Sequence, residues 1–324
     1  MKLGTLKSDH KDGELVVVAN NNKSYIKASD ICPNLITALE NWDEVSPKLK
    51  KLSDELNSDA SKGTAVEENL FHSPLPRTYQ WLDGSAYIQH IILVRKARGA
   101  EPPEKLREVP LMYQGVSDNF LGPYDDIPLI DDSHGMDFEG EVGVILDRVP
   151  MGVGPEEALK HIKLLVLIND VSLRGLIPAE LAMGFGFLQS KPPSSHAPFA
   201  VTPEELGVGW KDGRIQFELL SEYNGKWFGN PNASEMFFHF GQLIAHAAKT
   251  RELQPGTILG SGTVSNEDES KGSSCLAEKR MLEKIHTGNI ETPFMKDGDT
   301  IKIEMLDDKG QNIFGTIFQK VKKV

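Results

Sequence analysis

Three acidic residues, Glu139, Glu141 and Asp170, have the side-chain type and spacing to bind a divalent cation. The apolar pattern of DFEGEVGVIL predicts a strand over residues 138–146, and side chains two positions apart on a strand project from the same face. Glu139 and Glu141 should therefore point together, and their burial would require a cation or basic partners. A second predicted strand, in LLVLIND, ends at Asp170. A site with oxygen ligands alone favours Mg²⁺, Ca²⁺ or Mn²⁺ over Zn²⁺.

On the residues alone, a structural interpretation stays open for each of these features. An E-x-E pair is also typical of a solvated strand face. A single histidine such as His90, beside the apolar run HIILV, is often a packed or surface residue. Glu278 lies in the charged helical segment CLAEKRMLEK, where acids commonly form salt bridges one turn away. Lys191, between a serine and a proline, has the surroundings of a solvated loop lysine.

The elements that must position these residues predict two domains in an α+β, mainly β chain. Residues 1–74 combine strand-like runs, ELVVVANN and SYIKAS, with the helical run LITALENWDEVSPKLKKLSDELN, and form a small N-terminal α+β domain. The polar segment SDASKGTAVEENL and the prolines after it place the boundary near residue 74. Residues 75–324 are mostly predicted strands, among them HIILV, EVGVIL, LLVLIND, RIQFELLSEYNG and DTIKIEM, with helices in PEEALKHIK and ASEMFFHFGQLIAHAAKT.

Composition narrows the class of function. The 324 residues carry a formal net charge of −12, which opposes binding to nucleic acid or to an anionic membrane. The start, MKLGTLKSDHKDG, lacks the pattern of a signal peptide, and no apolar stretch approaches eighteen residues, so we expect a cytoplasmic protein without membrane partners. Cys32 and Cys275 are expected to be reduced. No glycine-rich nucleotide-binding motif follows a predicted strand.

The ordered motifs DFEGEVGVI, INDVSLR, QSKP and GSGTVS resemble those of the fumarylacetoacetate hydrolase family, and the resemblance extends over residues 77–324. It implies a mixed β-roll/β-sandwich catalytic domain, here residues 75–324, in a homodimer that holds Mg²⁺ or Ca²⁺, with Mn²⁺ as an alternative. The implied metal ligands are Asp83, Glu139, Glu141 and Asp170. The implied catalytic residues are His90, Glu278, Lys191 and Arg174, and the implied substrate-binding residues are Tyr113, Thr263 and Arg98.

Two departures from the family pattern bear on the substrate. Ile177 stands where hydrolases of the family often have a glutamine, and Ser85 stands where a tyrosine is expected. Arg98 aligns only approximately with the family's substrate-binding arginine. The acidic run DDIPLIDDSHGMD, residues 125–137, is expected to be a mobile loop that covers the site.

The resemblance implies a metal-dependent hydrolase that cleaves a C–C bond in a diketo acid. The expected substrate is fumarylacetoacetate, which would give fumarate and acetoacetate as in aromatic amino-acid catabolism, or a related acylpyruvate. An isomerase or decarboxylase of 2-oxo-dicarboxylates is the alternative within the same fold. A ligand-binding protein without catalytic activity is the alternative from another class.

Overall fold

Two β-sheets packed face to face form the body of the protein in the computed structural model, which describes residues 1–97, 101 and 104–324. This arrangement is the α+β, mainly β sandwich that the sequence predicts. The larger, eleven-stranded sheet has the order Thr64–Ala65, Ser24–Lys27, Glu14–Val18, Lys2–Leu6, Phe199–Val201, Ile162–Asn169, Gly140–Leu146, Ile258–Gly260, Trp81–Gly84 and Met112–Gly115, and Ser195–His196 pairs with Ile162–Asn169. The second sheet has the order Lys226–Gly229, Leu219–Tyr223, Thr300–Met305, Ile317–Lys323 and Ile127–Leu129.

The strands of the first 74 residues continue the larger sheet. Lys2–Leu6 pairs antiparallel with Phe199–Val201, so the N-terminal strands and the rest of the chain share one hydrogen-bonded ladder. The helices Leu35–Glu40 and Trp42–Ser58 cover one face of this sheet. The domain boundary at residue 74 stays a prediction.

The central strands are buried on both faces, because their alternate side chains enter two different cores. Val142 and Val144 belong to the core between the two sheets, whereas Ile145 contacts the core beneath the N-terminal helices. Leu167 and Ile168 divide in the same way. Such strands read as nearly continuous apolar runs, which is why EVGVIL and LLVLIND were recognisable in the sequence.

Helices account for most of the differences from the predicted elements. HIILV lies in the helix Ile88–Ala97, since a short apolar run cannot by itself distinguish a strand from a buried helix. The segment around His239 is helical only over Phe240–Ala247, and His239 is its N-cap. The remaining helices are Pro155–Ala158, Ile177–Met183 and Leu276–Thr287, with 3₁₀ turns at Ala60–Lys62, Glu68–Leu70, Asp132–His134, Leu159–His161, Pro203–Gly209, Ala233–Glu235 and Glu269–Lys271.

Residues 125–137 were expected to be a loop, and this expectation is wrong. They include the strand Ile127–Leu129, a 3₁₀ turn and the strand Met136–Asp137, which pairs with Ser172–Leu173. A further two-stranded pair joins Trp210–Lys211 to Arg214–Ile215. Within the described ranges, every helix is too short or too polar to cross a bilayer.

Candidate active site

Neighbouring strands of the larger sheet bring three carboxylates to one place. Asp83 lies on Trp81–Gly84 and Glu141 on Gly140–Leu146, and these strands flank Ile258–Gly260. Asp170 follows directly after Ile162–Asn169, which pairs with the strand of Glu141. The three residues are buried, and each offers one carboxylate oxygen within 4.8 Å of the others. The sheet register therefore groups Asp83 with Glu141 and Asp170, whereas the sequence pattern groups Glu139 with those two.

A glycine, Gly260, lies next to this group of carboxylates. Gly260 lies between Asp83 and Glu141 in the sheet, and a Cβ atom added to it would lie 2.5 Å from Asp83 Oδ1 and 3.0 Å from Glu141 Oε2. The backbone N–H of Gly262 donates to Asp83 Oδ1 at 3.0 Å. Any side chain at Gly260 would fill the space that the carboxylates face.

Glu141 is a buried acid whose two oxygens have no hydrogen-bond partner within the described parts of the chain. Burial raises its pKa well above the usual range, and the neighbouring Asp83 and Asp170 raise it further. Burial also raises the pKa of Asp83 to about 8, with Asp170 adding to the shift. Unpartnered buried carboxylates are costly, so the observed donor set fits a hard divalent cation held by Asp83, Glu141 and Asp170.

Two basic residues, Lys191 and Arg174, form ion pairs with the acidic residues of the site. Lys191 Nζ donates to Glu139 Oε2 at 2.7 Å and to Asp170 Oδ2 at 2.5 Å, and Arg174 Nη2 donates to Glu139 Oε1 at 2.5 Å. Burial alone would raise the pKa of Glu139, but Arg174 and Lys191 hold it below the usual range. Burial would likewise lower the pKa of Lys191, whereas Asp170 and Glu139 hold it well above the usual range.

Glu139 lies beside the group of three acids but is not part of it. Both of its oxygens accept hydrogen bonds from basic side chains, whereas the oxygens of Glu141 do not. Its role as a metal ligand stays a prediction. When ionised, Asp83, Glu139, Glu141 and Asp170 would carry four negative charges against the two positive charges of Arg174 and Lys191, all buried or nearly so, and a divalent cation would compensate this excess.

A histidine and a glutamate form the second half of the site. His90 lies in the first turn of the helix Ile88–Ala97, and Glu278 lies in the first turn of Leu276–Thr287. His90 Nδ1 is 2.9 Å from Glu278 Oε2, and the two side chains are 14% and 2% exposed. A glutamate on Nδ1 fixes the ring so that Nε2 is the nitrogen able to take a proton. The contact joins two residues that the family resemblance implies to be catalytic.

A cavity of about 360 Å³ joins the two halves. Its polar lining includes Thr263 and Ser85 together with charged groups, and its apolar lining includes Ile177 and Leu181. Tyr113 also lines it and donates its hydroxyl to Asp170 Oδ2 at 2.6 Å. The predicted site residues that line this one cavity are Asp83, His90, Tyr113, Glu139, Glu141, Arg174, Lys191 and Thr263. Arg98 lies outside the described residues.

The sequence reasoning missed three residues that support the site. Asp137 is fully buried and accepts a hydrogen bond from Arg174 Nε at 2.9 Å. Ser194 donates to Asp170 Oδ1 at 2.6 Å. The Glu180 carboxylate accepts the backbone N–H groups of residues 188–190, and so fixes the segment that leads into Lys191. Only Asp137 had a signal, because it lies two positions before Glu139.

Comparison with known proteins agrees with this geometry. Residues 80–322 match the family profile described as fumarylacetoacetate (FAA) hydrolase C-terminal, and residues 1–77 match fumarylacetoacetase N-terminal domain 2. A 2,4-didehydro-3-deoxy-L-rhamnonate hydrolase from Sphingomonas sp. (strain SKA58) is 28% identical over 165 residues, which is 50% of this chain and 55% of that protein. The chain thus covers only about half the length of the curated relatives that it matches.

Two solved structures share the fold over their whole length. Fumarylacetoacetate hydrolase from Exiguobacterium antarcticum superposes with a TM-score of 0.67 at 15% identity, covering 100% of both chains. Maleylpyruvate hydrolase from Sphingobium sp. SYK-6, in complex with manganese (II) ion and pyruvate, superposes with a TM-score of 0.63 at 15% identity, covering 100% of this chain and 99% of that one. The profile matches, which span nearly the whole sequence, show that this chain belongs to the fumarylacetoacetate hydrolase family.

Proposed function

We propose that this protein is a metal-dependent hydrolase that cleaves a C–C bond in a diketo acid, either fumarylacetoacetate or a related acylpyruvate. The observation that carries the proposal is the pair His90 and Glu278, because His90 lines the same cavity as Asp83 and Glu141 of the buried carboxylate group. A base beside a cation site is what hydrolysis of a β-diketone requires. The relatives named as hydrolases support the same reaction class.

The metal site is part of this proposal. Asp83, Glu141 and Asp170 would hold Mg²⁺, Ca²⁺ or Mn²⁺, with Glu139 as a further predicted ligand. When bound, such an ion supplies Lewis acidity toward the two oxygens of a 1,3-dicarbonyl group. The complex of the Sphingobium enzyme with manganese (II) ion and pyruvate supports a divalent metal here.

The protein's own residues divide the remaining work. Glu278 holds the imidazole of His90, which takes a proton from the water that attacks the carbonyl carbon. As the C–C bond breaks, the protonated ring gives this proton to the carbon of the leaving enolate. Lys191 and Arg174 lie on the same cavity wall and stabilise the negative charge that develops on the carbonyl oxygen, an effect worth about 3 kcal/mol for one well-placed donor. Thr263 and Tyr113 orient the substrate in the same cavity.

The test is a hydrolysis assay that compares fumarylacetoacetate, acetylpyruvate, longer acylpyruvates and oxaloacetate, with added Mg²⁺ or Mn²⁺ and with EDTA. We expect turnover of the first three classes, lost in EDTA and lost in His90→Ala. Negligible rates on fumarylacetoacetate and on every acylpyruvate would refute the proposal.

Two results would favour the alternatives. Full turnover of oxaloacetate by His90→Ala would favour an isomerase or decarboxylase, because neither reaction needs a base to activate water. Inactivity on every substrate at any metal concentration would favour a binding protein. The homodimer expected from the resemblance belongs to the same proposal and is tested by light scattering after gel filtration.

A further inference from the structure

Asp137 lies beneath the site rather than in it. It ends the strand Met136–Asp137, it is fully buried, and it does not line the cavity. Burial raises the pKa of its carboxyl group, with the nearby Arg174 acting against this rise. A charge kept at such a position needs strong partners, and Asp137 has them on two different elements.

The carboxylate of Asp137 connects both halves of the site. Its Oδ2 atom accepts from Arg174 Nε at 2.9 Å and from the backbone N–H of Ala277 at 2.9 Å. Its Oδ1 atom accepts from the backbone N–H of Leu276 at 2.7 Å. These two N–H groups open the helix Leu276–Thr287, whose N-terminus favours a negative charge.

Each partner of Asp137 in turn holds a residue of the site. A second nitrogen of Arg174, Nη2, donates a hydrogen bond to Glu139. The helix N-terminus carries Glu278, one residue after Ala277, and Glu278 binds His90. A shift of the carboxylate would therefore move the guanidinium and the helix end together.

We propose that Asp137 is a positioning residue that sets Arg174 and the Glu278–His90 pair in register with each other. This inference rests on the proposed function, in which both groups act on one substrate. A buried carboxylate suits the task because its three hydrogen bonds are shielded from water and fix it in one rotamer. Misplacement of catalytic groups by about 1 Å can slow a reaction about 100-fold.

The first variant is Asp137→Asn, which keeps the shape but replaces one acceptor oxygen with an NH₂ group that would face donors. We expect kcat on acetylpyruvate to fall about 10- to 100-fold, as for loss of residues that orient a metal site, with little change in KM. The matched control is Asp268→Asn, because Asp268 caps the short turn Glu269–Lys271 on the surface through the N–H of Ser270. This control should retain the wild-type rate.

A second measurement separates positioning from a simple loss of stability. In the Glu278→Gln background, Asp137→Asn should cause a clearly smaller loss of kcat than in the wild type, because only the part of its effect that acts through Arg174 remains. Equal losses in the two backgrounds would overturn the proposal.

A third measurement does not depend on activity. The ring N–H of His90 is followed by NMR with ¹⁵N-labelled histidine and identified by its absence in His90→Gln. We expect its resonance to shift or broaden in Asp137→Asn and to stay unchanged in Asp268→Asn. If wild-type protein hydrolyses no diketo acid, the proposed function fails, and this resonance still decides the role of Asp137.

Ala277→Pro provides the same test if Asp137→Asn does not fold. It removes the N–H that donates to Asp137 Oδ2, at a first-turn position where proline is tolerated. We expect a displaced His90 resonance here as well. An unchanged resonance and an unchanged kcat in whichever of these variants folds would overturn the proposal while leaving the proposed function intact.

Discussion

Two sets of side chains line the cavity, and they are held in different ways. The polar set, here called the inner end, consists of charged side chains such as Glu139, Glu141 and Lys191, and most of its buried polar atoms have partners on other elements, whereas the apolar set is called the outer end. The outer end consists of apolar side chains such as Ile91, Leu111 and Ile177. It continues into a segment that is largely exposed, where Met183 is 77% and Phe185 100% exposed.

This difference suggests how the protein separates reaction from selection. Hydrogen bonds and ion pairs fix the groups that must meet one reaction geometry, whereas apolar side chains of the cavity wall can change without removing those bonds. We therefore expect substitutions at the inner end to abolish turnover and substitutions at the outer end to change which acyl group is accepted. The predictions below test this division.

The largest effect is expected for Glu141→Gln at the centre of the inner end. Loss of a metal ligand should weaken Mn²⁺ binding by more than the roughly 100-fold found for outer partners of metal sites, and should remove measurable turnover. Mn²⁺ should raise the thermal unfolding midpoint of wild-type protein but hardly that of the variant. Titration calorimetry measures the affinity for Mn²⁺, and scanning calorimetry measures the thermal unfolding midpoint.

Glu222→Gln serves as the control for Glu141→Gln. Glu222 also lies on a strand, but it pairs with Lys302 in the second sheet. The control should keep its response to Mn²⁺. An undiminished response to Mn²⁺ in Glu141→Gln would contradict the assignment of the metal site.

Lys191→Met should have the next largest effect. Loss of an oxyanion donor should lower kcat about 100- to 1,000-fold. Without metal, loss of one partner of a buried ion pair should also reduce the free energy of unfolding by about 3 to 5 kcal/mol. Added Mn²⁺ should restore part of this stability, because it compensates the same carboxylates. Urea unfolding with and without Mn²⁺ measures the difference.

Lys163→Met is the matched control for Lys191→Met. Lys163 pairs with Asp147 where the side chains are 18% and 24% exposed, so its loss should cost less than about 1 kcal/mol. If Lys191→Met cost no more stability than this control, the inner end would not be the tightly coupled site described above.

The sequence predicts the direction of some side chains of the site but not their binding partners, for a physical reason. Glu139, Glu141 and Asp170 stand in or beside strands, where a period of two and a strand end determine the direction of a side chain. Glu139 forms ion pairs with Arg174 and Lys191, which are distant in sequence, and these contacts decide whether it is free to bind a metal ion. No local pattern contains that information.

Elements without a clear period were harder to predict. HIILV forms part of a helix instead of the predicted strand, because a run of four apolar residues suits either structure and only packing against the rest of the core decides between them. The sequence interpretation places Asp137 in a loop, as the last residue of the acidic run over residues 125–137. Its burial depends on the start of a helix almost 140 positions later, so tertiary contacts alone define its role.

Glu180→Ala probes the junction between the two ends and should have an intermediate effect. The Glu180 carboxylate accepts N–H groups from Leu188 and Gln189 and also binds Ser190, so it closes the exposed segment and holds Lys191 in place. We expect kcat/KM to fall about 10-fold without loss of global stability, since the bonds lie near the surface.

Glu156→Ala, an exposed glutamate in the helix Pro155–Ala158, is the control for Glu180→Ala and should leave kcat/KM unchanged. Hydrogen exchange should show faster exchange of the backbone N–H groups of residues 188–190 in Glu180→Ala alone. Unchanged exchange together with unchanged kcat/KM would show that Lys191 is positioned without this clamp.

Ile177→Gln should have the smallest effect on rate and the most specific effect on substrate. Ile177 is buried in the cavity wall, so a glutamine there adds a hydrogen-bond donor where apolar atoms now face the substrate. One hydrogen bond is worth about 1 kcal/mol, which corresponds to a change of about fivefold in the ratio of kcat/KM values. That ratio, fumarylacetoacetate over hexanoylpyruvate, should rise in Ile177→Gln and stay constant in Ile177→Leu. A constant ratio in both variants would mean that this wall does not contact the acyl group, and selection would then have to come from elsewhere in the outer end.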